Sequence, residues 1–173
     1  MKILVAYYSG TGNTEKVANA IKQGLTGYDV DLFPVKKVDP TTLDYYDLVF
    51  LGSGIYAFNA SRKVMTLVKK APKLPPNFAY FYTHESITLW PKAFKTVNDI
   101  IEKQNCKLLG EFECCGENLV ALAKQQREAL QSKLSPEERK KHEENYQKYV
   151  KGHPDAQDLE NAKKFAASIV EKL

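Results

Sequence analysis

The sequence predicts an α/β protein, a doubly wound parallel sheet of five strands, and three observations carry that expectation. Apolar runs rich in Val, Ile, Leu, Phe and Tyr recur at residues 2–7, 28–34, 47–53, 78–83 and 107–114, the pattern of short strands. Helical periodicity fills most of the intervals, which reads as βα repeats. The first and third runs are nearly continuous in apolar residues, as expected for strands covered on both faces, whereas the second alternates as an edge strand does.

Taken in order, "KILVAY" (2–7) is the first strand and Asn13 to Leu25 the first helix. "YDVDLFP" (28–34) and "DLVFLGS" (47–53) follow as strands two and three. Ser61 to Lys70 is the second helix, "FAYFYT" (78–83) the fourth strand, Trp90 to Gln104 a helix, and "KLLGEFEC" (107–114) the fifth strand. A last helix spans about Asp155 to Leu173, with Asp155 as its cap and Leu159, Ala162, Phe165, Ala166 and Ile169 on one apolar face. The segment 117–151 holds two more helices. The first has apolar positions at Leu119, Leu122, Ala123 and Leu130; the second opens at Ser135-Pro136 and is charged nearly all round, so it is expected on the surface, tethered only near Tyr146, Tyr149 and Val150. The whole chain, 1–173, is expected to be one domain with this helical segment as its extra part.

Composition narrows the function. With 43% hydrophobic and 27% charged residues the chain reads as a soluble globular protein, and no apolar run approaches membrane-spanning length, so a cytoplasmic location is expected. Cys106, Cys114 and Cys115 form no CxxC pair and His84, His142 and His153 are scattered, so a disulfide framework, a metal site and a catalytic triad are not expected. The net charge of +4 is concentrated: residues 61–110 carry nine Lys/Arg against three Asp/Glu. Without aromatic-basic alternation this suggests a face for an acidic protein before one for nucleic acid.

The turn "SGTGNT" (9–14) joins a strand to a helix, where unpaired N–H groups and the helix dipole favour an anion. Ser9, Thr11, Asn13 and Thr14 offer neutral donors, and Gly10 and Gly12 permit close approach and positive φ. A Walker loop would need a lysine here, and a dinucleotide fingerprint would need a glycine where Glu15 stands. A lysine-free loop of neutral donors suits a buried monophosphate dianion.

These residues resemble the phosphate-loop signature of the flavodoxin family: Val5, Tyr7, Ser9, Thr11, Gly12, Asn13, Thr14, Ala18 and Ile21 match it, and only Ala6 departs, where a larger apolar residue is usual. The resemblance implies a flavodoxin-like sheet in the order 2-1-3-4-5 and flavin mononucleotide (FMN) as cofactor, its phosphate held by Ser9, Gly10, Thr11, Gly12, Asn13 and Thr14. It further implies that "GSGIYAFNASRK" (52–63) flanks the flavin ring, with Ser53, Gly54, Ile55 and Tyr56 in contact. Gly54, and after it Gly52, would permit the peptide flip that answers the reduced flavin N5, and Tyr56 would stack on the ring. In "YTHESITLWP" (82–91) Thr83, His84 and Glu85 would lie at the pyrimidine edge, with Tyr82 and Trp90 nearby. His84 departs from the acidic or glycine-rich loop of the family; protonated, it would favour the reduced flavin, Glu85 would oppose it, and the plain alternative is a solvated loop histidine.

By that resemblance the expected function is a low-potential electron carrier between redox proteins, without catalytic residues of its own. The alternative is an FMN-dependent oxidoreductase, either an NAD(P)H:quinone reductase or an enzyme resembling protoporphyrinogen oxidase. Against the second, the segment after strand four is short and lacks an extended insertion. Flavodoxins are commonly acidic, whereas this chain has a pI near 8.8, so the expected redox partner is acidic, a ferredoxin-like protein or an acidic reductase face.

Overall fold

The computed structural model describes residues 1–86 and 93–173. Its elements are β1 (Lys2–Tyr8), α1 (Asn13–Gly24), β2 (Asp29–Pro34), two 3-10 turns (Val35–Lys37 and Pro40–Tyr45), β3 (Leu48–Tyr56), β4 (Asn59–Ala60) and α2 (Arg62–Lys70). There follow β5 (Asn77–His84), α3 (Lys95–Lys103), β6 (Lys107–Cys115), α4 (Ala121–Gln131), α5 (Pro136–Tyr149) and α6 (Ala156–Val170). Trp90 and the expected helical residues up to Lys92 lie outside the described residues; the helix there begins at Lys95.

Five strands run parallel in the order β2-β1-β3-β5-β6, the expected 2-1-3-4-5 once the two-residue β4, antiparallel to the end of β3, is set aside. Strand period two assigns alternate residues to opposite faces. Leu4, Val49, Leu51, Phe78 and Tyr80 pack under α2 and α3 against Val64, Leu67, Val97 and Ile101. Ile3, Val5, Phe50 and Phe81 pack under α1 and α6 against Val17, Ile21, Ala162, Ala166 and Ile169. The central β3 is buried from Leu48 through Gly54, while β2 and β6 keep the mixed burial of edges. Gly52 is required by this packing: a Cβ there would stand 2.1 Å from the Phe81 ring.

Both helices expected in 117–151 are present, and α5 buries none of its residues, its chain end being anchored by the buried Val150. The apolar positions of α4 do not act as a core face. Only Ala123 of α4 is buried, and Leu119, Leu122 and Leu130 remain exposed. Asp155 caps α6 as expected, accepting from the N–H groups of Gln157 and Asp158. The thiols are free and sit in or just before β6, with Cys114 buried. Among the described residues no helix is long and apolar enough to cross a membrane.

Candidate functional site

The carboxyl ends of β1, β3 and β5 meet at one place, because β1 and β3 pair as far as Tyr8 opposite Ser53 and β3 and β5 as far as Gly54 opposite Thr83. Parallel strands with helices on alternate faces leave a crevice at such ends. Residues 9–14 turn from β1 into α1 there. Gly12 caps α1 at φ +89°, a left-handed conformation, and its N–H donates to Ser9 Oγ at 3.0 Å. A Cβ at Gly12 would meet nothing within 4 Å, so backbone conformation and not space selects glycine there. The first turn of α1 presents its N–H groups to the crevice. The one acid of that turn, Glu15, is held by the Tyr7 hydroxyl, which donates to it at 2.6 Å. Burial and that carboxylate push the Tyr7 hydroxyl up to about 12, so it keeps its proton for this bond.

The side chains expected on the phosphate divide into two groups. Ser9 and the exposed Thr11 remain at the mouth of the turn. Asn13 and Thr14 are buried and tie the turn to its surroundings: Asn13 Nδ2 donates to the Glu117 carbonyl at 2.8 Å, and the Thr14 and Thr83 hydroxyls share a hydrogen bond of 2.8 Å. Their backbone N–H groups lie in the first turn of α1.

The loop after β3 folds back on the turn. Tyr56 Oη accepts from Gly10 N at 3.2 Å and lies over both Gly10 and Gly54, at 2.8 and 2.9 Å from where their Cβ atoms would be. The ring of Tyr8 stands beside it, with centroids 5.9 Å apart. Ala57 and Phe58, at φ 45° and 67°, form the two-residue hairpin turn into β4, leaving Phe58 exposed at the tip. Ser53 is fully buried: its hydroxyl donates to the Gly54 carbonyl at 2.6 Å and accepts from Ser61 N at 2.8 Å. Ile55 is partly buried against the α2 side of the core. Ser53 and Ile55 thus shape the loop while Gly54 and Tyr56 face the crevice. Gly52 lies deeper, packed on Phe81.

After β5 the three expected residues separate. Thr83 is buried against Thr14. His84 is neither in a loop nor solvated: it ends β5, is buried, meets the Glu113 carboxylate through Nε2 and the Ser86 carbonyl through Nδ1 at 2.5 Å. Burial opposes charge on the ring, but Cys115 and Glu113 outweigh it and raise its pKa to about 9. Glu85 turns away from β5 to pair with Arg127 of α4, which also donates to the Asn118 carbonyl at 3.0 Å and lies 5.0 Å from the Tyr146 ring centre. Glu113, Glu117, Arg127 and Tyr146 were not among the expected site residues. Each acts through a partner distant in sequence, and no local pattern marks them.

Glu117 joins the pieces. Its carbonyl takes Asn13, and its carboxylate takes the Tyr146 hydroxyl at 2.6 Å and Gly152 N at 2.9 Å, bonds that hold its pKa below the usual carboxylate range. The segment 117–152 is therefore tied to the 9–14 turn through Asn13 and to Glu85 through Arg127. His153, Asp155 and Asp158 converge closely enough to be metal-ligating groups; here His153 Nδ1 meets Asp158 Oδ2 at 2.6 Å, and Asp155 and Asp158 form the cap of α6.

Comparison with known proteins agrees with this geometry. The chain is 31% identical over 179 residues to the flavodoxin-like domain-containing protein BilS of Clostridioides difficile, covering 99% of this chain and 98% of that one. It is 29% identical over 171 residues to an uncharacterised protein of Methanocaldococcus jannaschii, covering 98% and 99%. The crystal structure of oxidised flavodoxin 2 from Bacillus cereus superimposes with a TM-score of 0.65 at 21% identity, over 100% of both chains. The model of the flavodoxin domain matches residues 4–167, and with that match the chain belongs to the flavodoxin domain family.

Proposed function

We propose that the chain binds FMN in the crevice at the ends of β1, β3 and β5 and carries electrons, one at a time, between redox proteins. The observation that carries this reading is the phosphate turn. A left-handed Gly12, the open N–H groups of α1 and the hydroxyls of Ser9 and Thr11 form a neutral cradle, and Tyr7 keeps the carboxylate of Glu15, in the first turn of α1, engaged. A phosphate dianion fits that donor set without a lysine.

Bound there, the flavin supplies reversible one- and two-electron chemistry. The protein's part is to hold and shield it. Ser9, Gly10, Thr11 and Gly12 with the first N–H groups of α1 hold the phosphate end. Gly54 and Tyr56 from one side, and the Thr83–His84 strand end from the other, bound the ring end. Tyr56 lies across Gly10 and Gly54 and accepts from Gly10 N, which makes it the aromatic side chain that would cover the ring. The charge on His84 is spent on Glu113, so the pair would offer the flavin little net charge.

Reductive titration of the purified chain tests the reading. The carrier is expected to hold one FMN per chain and to take up electrons in two separated one-electron steps. A colourless protein that fails to take up added FMN removes the reading altogether. Steady NAD(P)H consumption with a quinone by the isolated chain, with both electrons entering together, would replace the carrier by a reductase.

A further inference from the structure

Exposed cations are distributed unevenly around the site. On the β6 flank cationic groups have acidic neighbours: the partly buried Arg127 pairs with Glu85, the buried His84 with Glu113 and the partly buried His153 with Asp158, and the exposed α5 mixes glutamates with its lysines and arginine. The β1 flank differs. Lys36 and Lys37 in the 3-10 turn after β2, and Arg62, Lys63, Lys69 and Lys70 on α2, are all exposed, and among the described residues none makes an ion pair. Helix α2 contains no acid at all.

Four of these cations, Lys36, Arg62, Lys63 and Lys70, rim a cleft of about 310 Å³ with an apolar floor of Val35, Val38, Pro40 and Leu67. Through Val35, Lys36 and Lys63 the cleft runs into a second cavity, about 420 Å³, that reaches Tyr8, Ser9 and Gly10. Lys63 Nζ stands 4.6 Å from the Tyr8 ring centre, and Tyr8 stands beside Tyr56. The basic cleft therefore abuts the loop that would cover the flavin ring.

A second, independent observation concerns position. Arg62 and Lys63 occupy the first turn of α2, immediately after the Ser61 cap, where the helix dipole and free N–H groups repel cations. Folding alone favours aspartate or glutamate there. The arrangement is unfavourable in the free chain and becomes favourable against an anionic surface.

We propose that this cleft docks an acidic protein partner, which sets an apolar side chain on the Val35–Leu67 floor between carboxylates that meet Lys36, Arg62, Lys63 and Lys70. That the partner exchanges electrons across the Tyr8–Tyr56 side rests on the flavin reading; the docking itself does not. Charge complementarity supplies orientation and association rate, and the apolar floor supplies burial.

Fluorescence anisotropy of the full chain, supplied with FMN, with two labelled peptides tests this. One peptide flanks a central Leu-Phe pair with aspartates and glutamates, and the other replaces those acids by serine and asparagine. The acidic peptide is expected to bind at least about tenfold more tightly than the neutral one and to weaken steeply with added salt. The double variant Arg62→Glu with Lys63→Glu should lose at least about tenfold in affinity while melting no lower than the parent, so unfolding does not explain the loss. Lys140→Glu on α5 should change affinity less than about twofold. Equal binding of both peptides, equal loss in the α2 and α5 variants, or tighter binding of a single-stranded oligonucleotide than of the acidic peptide would overturn the proposal. Acidic-peptide binding by chain that takes up no FMN would keep the docking site and remove the flavin; FMN uptake without peptide binding would do the reverse.

Discussion

The side-chain amide of Asn13 donates to the backbone carbonyl of Glu117 at 2.8 Å, across 104 residues of chain. Because Glu117 also binds Tyr146 and Gly152 N through its carboxylate, one residue connects the phosphate turn to the end of α5. That connection accounts for the extra helices: they brace the turn from outside the sheet. Asn13 is 6% exposed, so removing its amide leaves the Glu117 carbonyl poorly satisfied. Asn13→Ala should cost about 1–2 kcal/mol in a urea melt. It should also speed hydrogen exchange in 117–151 ahead of the sheet, because the tether and not the core is lost.

Gly52 and Phe81 are neighbours in register on β3 and β5, and the phenyl ring occupies the space a Cβ would need. Gly52→Ala should therefore destabilise by about 1–3 kcal/mol, the usual range for overpacking a core. Adding Phe81→Leu should recover part of the loss in the same denaturant experiment, with the two changes non-additive because they share one contact.

At Gly12 the limit is conformational. With φ +89° and open space around the missing Cβ, Gly12→Ala should cost about 1–2 kcal/mol through the left-handed backbone alone. Gly12→Asn should cost less, since asparagine tolerates that region. If alanine and asparagine melt alike, strain at this cap is not the reason for the glycine.

The parts of this fold legible in the sequence are those with a local cause. β1 and β3 read as strands because burial on both faces makes them continuously apolar, and the phosphate turn reads because donors and glycines must be contiguous at one helix end. What could not be read depends on register and tertiary approach. His84 meets Glu113 only because β5 and β6 pair with a register shift between Phe78 and Tyr80. Glu85 finds Arg127 across 42 residues. The basic excess of residues 61–110 was legible, but Lys36 joins Arg62, Lys63 and Lys70 around one cleft only through the 3-10 turn after β2. That Leu119, Leu122 and Leu130 stay exposed could not be read, because periodicity does not say what a helix face packs against.

The His84–Glu113 pair predicts a pH dependence with a definite sign. His84, raised to about 9 from 6.5, contributes stability that is complete below pH 6.5 and is lost as pH rises through 9. Glu113, lowered from 4.5 chiefly by the His84 bond, contributes stability that is complete above pH 4.5 and is lost as pH falls through its folded value. The pair is thus strongest between about pH 4.5 and 6.5. Stability should fall by an amount on the order of 2 kcal/mol from pH 6.5 to 9.5, allowing for solvent screening at the partly exposed Glu113. His84→Gln should flatten that limb of the profile measured by denaturant melts.

The electrostatics of α2 can be measured without any ligand. Arg62 lies in the first turn, against the positive end of the helix, and Lys69 and Lys70 lie in the last turn, where cations are favoured. The same change of sign should therefore act oppositely at the two ends. Arg62→Glu should raise the stability of the free chain by about 0.5–1 kcal/mol, and Lys69→Glu should lower it by a similar amount. Arg62 is the cleaner site because Lys63 is engaged over the Tyr8 ring. Both effects should shrink toward zero near 1 M salt, where the screening length is about 3 Å. A destabilising Arg62→Glu would mean that the arginine makes a favourable contact in the free chain, and the first turn of α2 would then give no sign of a site shaped for an anionic surface.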